Sequence, residues 1–170
     1  MKTLDPQGID DMLLYRLGLV LSTAGSLVTR TCEGEFGITR REWRVLAQLG
    51  KRGGLMSSEL AELAQLDRAR TSRAVTAMLA KHLIQRESRP HDRRQVTLHL
   101  SDTGRALYEA VLPRIIAIHR ELVAPLTPDQ ATQLDAFLVL LQQQAETMQR
   151  DTDLPKADRH RGGRKLGLRG

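Results

Sequence analysis

The side chains with the most chemistry to offer lie between residues 67 and 100, in DRARTSRAVTAMLAKHLIQRESRPHDRRQVTLHL. From Arg68 to Arg94 there are eight Lys or Arg residues against two carboxylates, Glu87 and Asp92. A guanidinium is a rigid fork of donors that can pair with a guanine edge, and a fixed cation can neutralise a phosphate. That chemistry is recognition of a polyanion. Catalytic patterns are absent: no glycine-rich phosphate loop, Gly-x-Ser-x-Gly elbow or His-Glu-x-x-His helix, and no cysteine pairs for zinc. We therefore expect no enzyme and no cofactor. Stacking on RNA bases is disfavoured too, because the chain has only five aromatic residues and none lies in the basic stretch.

Two elements must position these arginines. Ala74, Val75, Met78 and Leu79 recur at helical spacing, whereas Arg70, Arg73 and Ala77 fall on another face beside Ala69 and Ser72. Asp67 suits the N-cap, so the helix starts near 67. Residues 84–88 and 95–100 flank the charged tip at 89–94, and Val96, Leu98 and Leu100 alternate with Thr97 and His99, which predicts a hairpin. Ser57 to Ala64 forms a short helix just before, joined through Gln65-Leu66, and this is a helix-turn-helix arrangement.

At this point the residues resemble a known family. SSELAELAQLDRARTSRAVTAMLAKHLIQRESRPHDRRQVTLHLSDTGRAL is similar to the multiple-antibiotic-resistance-regulator (MarR) family of winged helix-turn-helix transcription factors, most closely over 55–108. Asp92-Arg93-Arg94, ahead of an alternating strand and Leu100-Ser101-Asp102-Thr103-Gly104, is similar to the family's Asp-x-Arg wing. The resemblance implies that Arg94 enters the minor groove and that Asp92 orients a neighbouring arginine. Arg68, Arg70, Ser72, Arg73 and Arg93 complete the expected DNA-binding set. His82 departs from the family, which usually has glycine after the recognition helix; histidine tolerates the left-handed backbone better than most residues.

The rest of the chain is read for what supports this module. With 170 residues it can bury one core, expected as a single domain over 1–150 that holds a winged helix-turn-helix over 39–100. The fold class expected is mainly α with a small β-wing. Net charge is +6 and the pI about 10.1, which favours a polyanionic partner. No segment is long and apolar enough to span a bilayer, and the polar start, Met1 to Pro6, does not have the pattern of a secretory leader. With one cysteine, Cys32, a cytoplasmic protein is expected. Residues 10–31 carry an apolar stripe from Leu13 to Val28, and 102–150 carry two more helices. These terminal helices, 10–31 and 102–150, are expected to pair across a two-fold axis in a homodimer. Ser101 caps the first of the pair, Pro113 lies within it, and Thr127 and Gln130 match a capping box for the last. Residues 151–170 are basic and glycine-containing, and are expected to be a mobile tail.

Between them, residues 32–37 read as a loop, and Thr39 with Glu42 forms a capping box stapled by Ile38 and Trp43. The helix that follows is expected over 40–49, ended by Gly50, with Lys51 to Gly54 as a turn and Leu55-Met56 as a short strand.

Three side chains interrupt apolar surroundings. Arg16 either snorkels and pairs with a carboxylate or anchors an anionic ligand. Trp43 is a staple in the core or a stacking surface, and His119, in line with Leu112, Ile115 and Ile116, is a core residue or a ligand contact. The family likeness implies a repressor released from a palindromic double-stranded DNA operator by a small aromatic carboxylate, for which Arg16, Trp43 and His119 form the candidate set. CEGEFGITRREWRVLAQL additionally looks like members that control nicotinate breakdown, which points to a pyridine carboxylate. Alternatives on the same fold are a thiol-based redox sensor at Cys32 and a metal-responsive regulator using Cys32, Glu33, Glu35 and a histidine. The latter lack a fixed ligand spacing, and no metal ligand is assigned.

Overall fold

The computed structural model describes residues 3–89, 92–151 and 153, without the side chains of 89 and 92–95. The chain divides into two compact units, 1–125 and 126–170. In the first unit the helices are α1 (Leu13–Arg30), α2 (Arg40–Arg52), α3 (Ser57–Leu63), α4 (Arg68–Ala80) and α5 (Asp102–Val123). Its strands are β1 (Leu55–Met56), β2 (Ile84–Arg89) and β3 (Asp92–Leu100). The second unit contains α6 (Pro128–Asp151). No helix among the described residues is long and apolar enough to cross a membrane.

Local chemistry fixes most helix starts. Thr39 N–H donates to Glu42 Oε2 at 2.6 Å and Glu42 N–H donates to Thr39 Oγ1 at 3.2 Å, the reciprocal capping box expected for α2. Asp67 Oδ1 accepts from Arg70 N–H at 2.7 Å at the head of α4, and Ser101 Oγ accepts from Gly104 N–H at 3.0 Å at the head of α5. In α6, Thr127 N–H donates to Gln130 Oε1 at 2.9 Å and Gln130 N–H to Thr127 Oγ1 at 3.3 Å. α5 runs through Pro113 as one helix.

Three boundaries differ from the expectation: α1 begins at Leu13, not residue 10, after a 3-10 turn at Ile9–Asp11 and an extended Met12. α2 does not stop at Gly50 but continues to Arg52, and the left-handed cap is Gly53 at φ 81°. Gly50 serves packing instead: a Cβ there would lie 2.7 Å from the Tyr108 ring. Residues 32–35, expected as part of a loop, join Thr31 in a π-helical turn that prolongs α1, with buried Cys32 accepting at its carbonyl from Ile38 N–H at 3.0 Å. Arg114 of α5 grips this turn, its Nε and Nη2 each donating to the Glu35 carboxylate at 3.0 Å.

The sheet is antiparallel in the order β1-β3-β2. Leu55 pairs with Leu98, Ile84 with Leu100 and Ser88 with Val96, after which the register shifts so that Arg89 faces Asp92. The core beneath joins Val45, Leu46 and Leu49 of α2 to Leu60, Met78, Leu98 and Val111, all at most 1% exposed. At about 1.5–3 kcal/mol for each buried aliphatic side chain, this shared core is what holds α2, α3, α4, the sheet and α5 together. Gly104 permits the tightest junction, since a Cβ on it would stand 1.9 Å from the Leu83 carbonyl oxygen.

Candidate nucleic-acid interface and effector cavity

α3 and α4 are joined by Gln65, at φ 51°, and Leu66, whose N–H donates to Ala61 O at 2.9 Å. This tight turn sets α4 across α3. Thr71, Ala74, Val75 and Met78 point into the core, and the Thr71 hydroxyl donates to Asp67 O at 2.9 Å instead of remaining unpaired. The opposite face is therefore fixed in direction: Arg68, Ala69, Arg70, Ser72, Arg73 and Thr76 are exposed. Arg70 Nε lies 3.4 Å from Asp67 Oδ2, an exposed pair that leaves the guanidinium accessible.

Arg68 and Ser72 also border a concave notch of about 290 Å³, together with Ser57, Ser58, Thr76 and Arg86. Hydroxyl and guanidinium donors around a hollow suit phosphate oxygens. Ser57, Ser58, Thr76 and Arg86 were not singled out in the sequence; Arg86 belonged to a strand with no obvious pattern, and the short hydroxyl side chains gave no signal of their own. The wing set, Asp92, Arg93 and Arg94, has its backbone in β3, and its side chains lie outside the described residues. The tail assigned to 151–170 likewise lies outside them apart from Asp151 and Asp153.

The far end of α4 is held by a buried carboxylate. Glu42, 3% exposed, receives Lys81 Nζ at 2.9 Å on Oε1 and 3.1 Å on Oε2, while Lys81 also donates to Gly37 O at 3.1 Å. Burial alone would push the Glu42 carboxyl up, but the Thr39 amide, Lys81 and the Thr39 hydroxyl outweigh it and hold the group below its ordinary 4.5. His82 then adopts φ 55°, the left-handed conformation expected at that position, and its carbonyl accepts from Ser101 Oγ at 2.6 Å.

A second, open cavity of about 430 Å³ runs between α1, the first residue of α2 and α5. Its walls are aliphatic, with Leu21, Val28, Ile115 and Ile118 among them, and its only polar side chains are Arg40 and His119. Of the three effector candidates, His119 lines this cavity; Arg16 and Trp43 do not. Trp43 is 7% exposed because it staples the start of α2 and stacks on Tyr108, ring centroids 6.1 Å apart. Arg16 is a half-buried residue of α1 with an interaction partner of its own. Arg40 lines the cavity, and nothing in its local sequence distinguishes it from Arg41 beside it.

Cys32 is fully buried. Burial pushes its thiol up against the pull of Arg40, with Glu33 adding to the rise, so the reactive thiolate is suppressed. Among the described residues no group of three or more His, Cys, Asp or Glu side chains is placed to hold a metal ion.

Comparison with known proteins agrees with this architecture. A family model described as the MarR family matches residues 36–95. The chain is 33% identical over 111 residues to the HTH-type transcriptional repressor MdtR of Bacillus subtilis (strain 168), covering 65% of this chain and 72% of that protein. It superposes on a probable transcriptional regulator from Pseudomonas aeruginosa with a TM-score of 0.65 and 29% identity, covering 79% of this chain and 99% of the other. A MarR/EmrR family regulator from Acinetobacter sp. ADP1 shares the fold at a TM-score of 0.77 and 22% identity, over 83% and 99% of the two chains. The matched segment holds α2 to the wing, the part that carries the exposed arginines and the buried face of α4, and on that footing the chain belongs to the MarR family of winged-helix transcriptional regulators.

Proposed function

We propose that this regulator is a cytoplasmic, homodimeric repressor that binds a pseudo-palindromic DNA operator through α4 and the wing, and is released by a small aromatic carboxylate. As a transcriptional regulator of this family it is not an enzyme. The observation that carries the DNA reading is the two-sided character of α4: Thr71, Ala74, Val75 and Met78 are buried and Arg68, Arg70, Ser72 and Arg73 are exposed. A helix presented in this way fits the major groove, where arginine forks pair with guanine O6 and N7. Arg94 is proposed for the minor groove and Asp92 and Arg93 for support and phosphate contact. The domain is taken to extend over 1–150, with 10–31 and 102–150 supplying the dimer contact. Exposed Leu14, Leu19 and Leu21 on α1 support that assignment, being apolar surface left without cover in one copy.

The effector is proposed to be a monocyclic aromatic acid, with a pyridine carboxylate of the nicotinate type as the specific candidate and His119 among its contacts. The redox alternative is disfavoured by burial of Cys32.

Footprinting on operators selected from random sequence tests the reading. The expected footprint spans two half-sites about 10 base pairs apart centre to centre. Arg70→Ala and Arg73→Ala should each relax base preference at one position in each half-site, at a cost of about 1–3 kcal/mol. Protection of a single asymmetric half-site, or loss of affinity with unchanged preference in both variants, would count against it.

A further inference from the structure

We propose that Lys81, the residue at which α4 ends, is a positioning residue for operator recognition: tied to Glu42 and Gly37, it fixes the angle at which α4 presents Arg68, Arg70 and Arg73 to the bases, without touching DNA itself. The inference rests on the DNA reading above and adds the residue that sets its aim.

Three observations carry it. The first is the reach of the tie. Lys81 Nζ lies 2.9 Å from Glu42 Oε1 and donates to Glu42 Oε2 and to Gly37 O, each at 3.1 Å. These partners stand 39 and 44 positions back in the chain, on α2 and on the segment that leads into it. The hydrogen bonds from Arg70 N–H and the Thr71 hydroxyl to Asp67 stay within the first turn of α4, so they shape that helix and do not locate it. Its buried face packs through Ala74, Val75 and Met78, and apolar contact has no direction of its own. An ion pair on a carboxylate that is only 3% exposed does have one.

The second is the firmness of the anchor. Glu42 Oε2 also accepts from Thr39 N–H at 2.6 Å, so the carboxylate that holds Lys81 is itself held by the start of α2. α2 in turn is fixed by Val45, Leu46 and Leu49, all 0% exposed. The end of α4 is therefore tied to one of the most deeply seated elements of the unit.

The third is the lever. At about 1.5 Å per residue, Arg73 and Arg68 stand roughly 12 and 20 Å along the axis from Lys81. A tilt of about 3° about that end carries the Arg68 position through about 1 Å. A base-edge hydrogen bond is lost over such a distance, whereas attraction to phosphates falls off over a screening length of about 8 Å. Loss of the tie therefore lowers discrimination between sequences more than general affinity for DNA. The ammonium donors of Lys81 are engaged within the protein, which sets this residue apart from the exposed arginines as a phosphate ligand.

Fluorescence anisotropy on the full-length protein tests the assignment, using a duplex selected from random sequence and a scrambled duplex of the same length and composition, below the melting temperature of every variant. Lys81→Met is expected to lower the preference for the selected duplex tenfold or more, while affinity for the scrambled one falls less than threefold. Lys81→Arg keeps a cation on Glu42 and should return most of the preference. Glu42→Gln separates aim from charge, because it leaves Lys81 in place; it is expected to lower the preference in the same direction, and it carries the test alone if Lys81→Met does not fold. Were Lys81 a phosphate ligand, Lys81→Met would weaken both duplexes alike and reduce the slope of log affinity against log salt by about 0.9, and Glu42→Gln would leave the preference intact. Either result overturns the proposal. A lower melting temperature with unchanged preference in both variants marks a purely structural tie and overturns it as well, while the DNA reading stands. Should wild type prefer no selected duplex over the scrambled one, the DNA reading fails and Lys81 has nothing to aim.

Discussion

His82 holds a left-handed backbone at φ 55° between the end of α4 and the start of β2. For a residue with a Cβ this conformation costs about 1–2 kcal/mol, partly offset by the about 0.5–1 kcal/mol of extra chain entropy that glycine would lose on folding. His82→Gly is therefore expected to stabilise the protein by up to roughly 1 kcal/mol. Urea unfolding with an unchanged m-value would show it, and a loss of stability would mean that the imidazole makes contacts worth more than the strain. Glu42 is the other residue whose chemistry reaches beyond its neighbours. Its carboxyl is held below 4.5 in the folded protein, so the unfolded state binds the proton more readily and stability must fall as pH drops through that lower range. Glu42→Gln keeps a capping-box acceptor but loses the charge that meets Lys81. We expect it to cost about 1.5–3 kcal/mol at neutral pH and to flatten the acid limb of the stability curve below 4.5. An acid limb as steep as that of wild type would place the titrating group elsewhere.

At the scale of elements, what could be read in the sequence was what is decided within a few residues. The caps at Thr39, Asp67, Ser101 and Thr127 each involve a partner three positions on, and all four form as expected. The hairpin also follows from the alternation of Val96 to Leu100, whereas β1, too short to alternate, is expected only from its place before a winged-helix hairpin. Gly50 was misread as a stop because glycine has two uses, and only the distant Tyr108 ring reveals which one applies. The same limit hid the cavity. Arg40 meets Gly25 across a helix junction fifteen positions away, whereas Arg16 merely interrupts a stripe, which is the stronger signal to a reader of periodicity. Residues 32–35 read as loop because Glu33, Gly34 and Glu35 are poor core formers; the π-helical turn is held by contacts that arrive from Ile38 and Arg114.

For the whole molecule, α6 is the element with the most unfinished business. None of its residues is buried, and Phe137, Leu138, Val139, Leu140 and Leu141 are between 41% and 61% exposed as a continuous run. Five successive apolar residues cover every side of a helix, so one shallow contact cannot cover them all. Homodimers are typical of the family, and a charge at Leu138 should break the association: Leu138→Glu is expected to sediment as a monomer and to lose operator affinity although α4 is untouched. A wild-type monomer that binds its operator tightly would contradict this. The exposed run has a further consequence, in the domain of mass action. If the apolar surface of α6 is covered only in the assembled state, part of the folding free energy enters as a binding term and scales with the logarithm of protein concentration. The midpoint of thermal unfolding should then rise as the protein is concentrated, which makes the cell's own copy number one of the determinants of how stable each copy is.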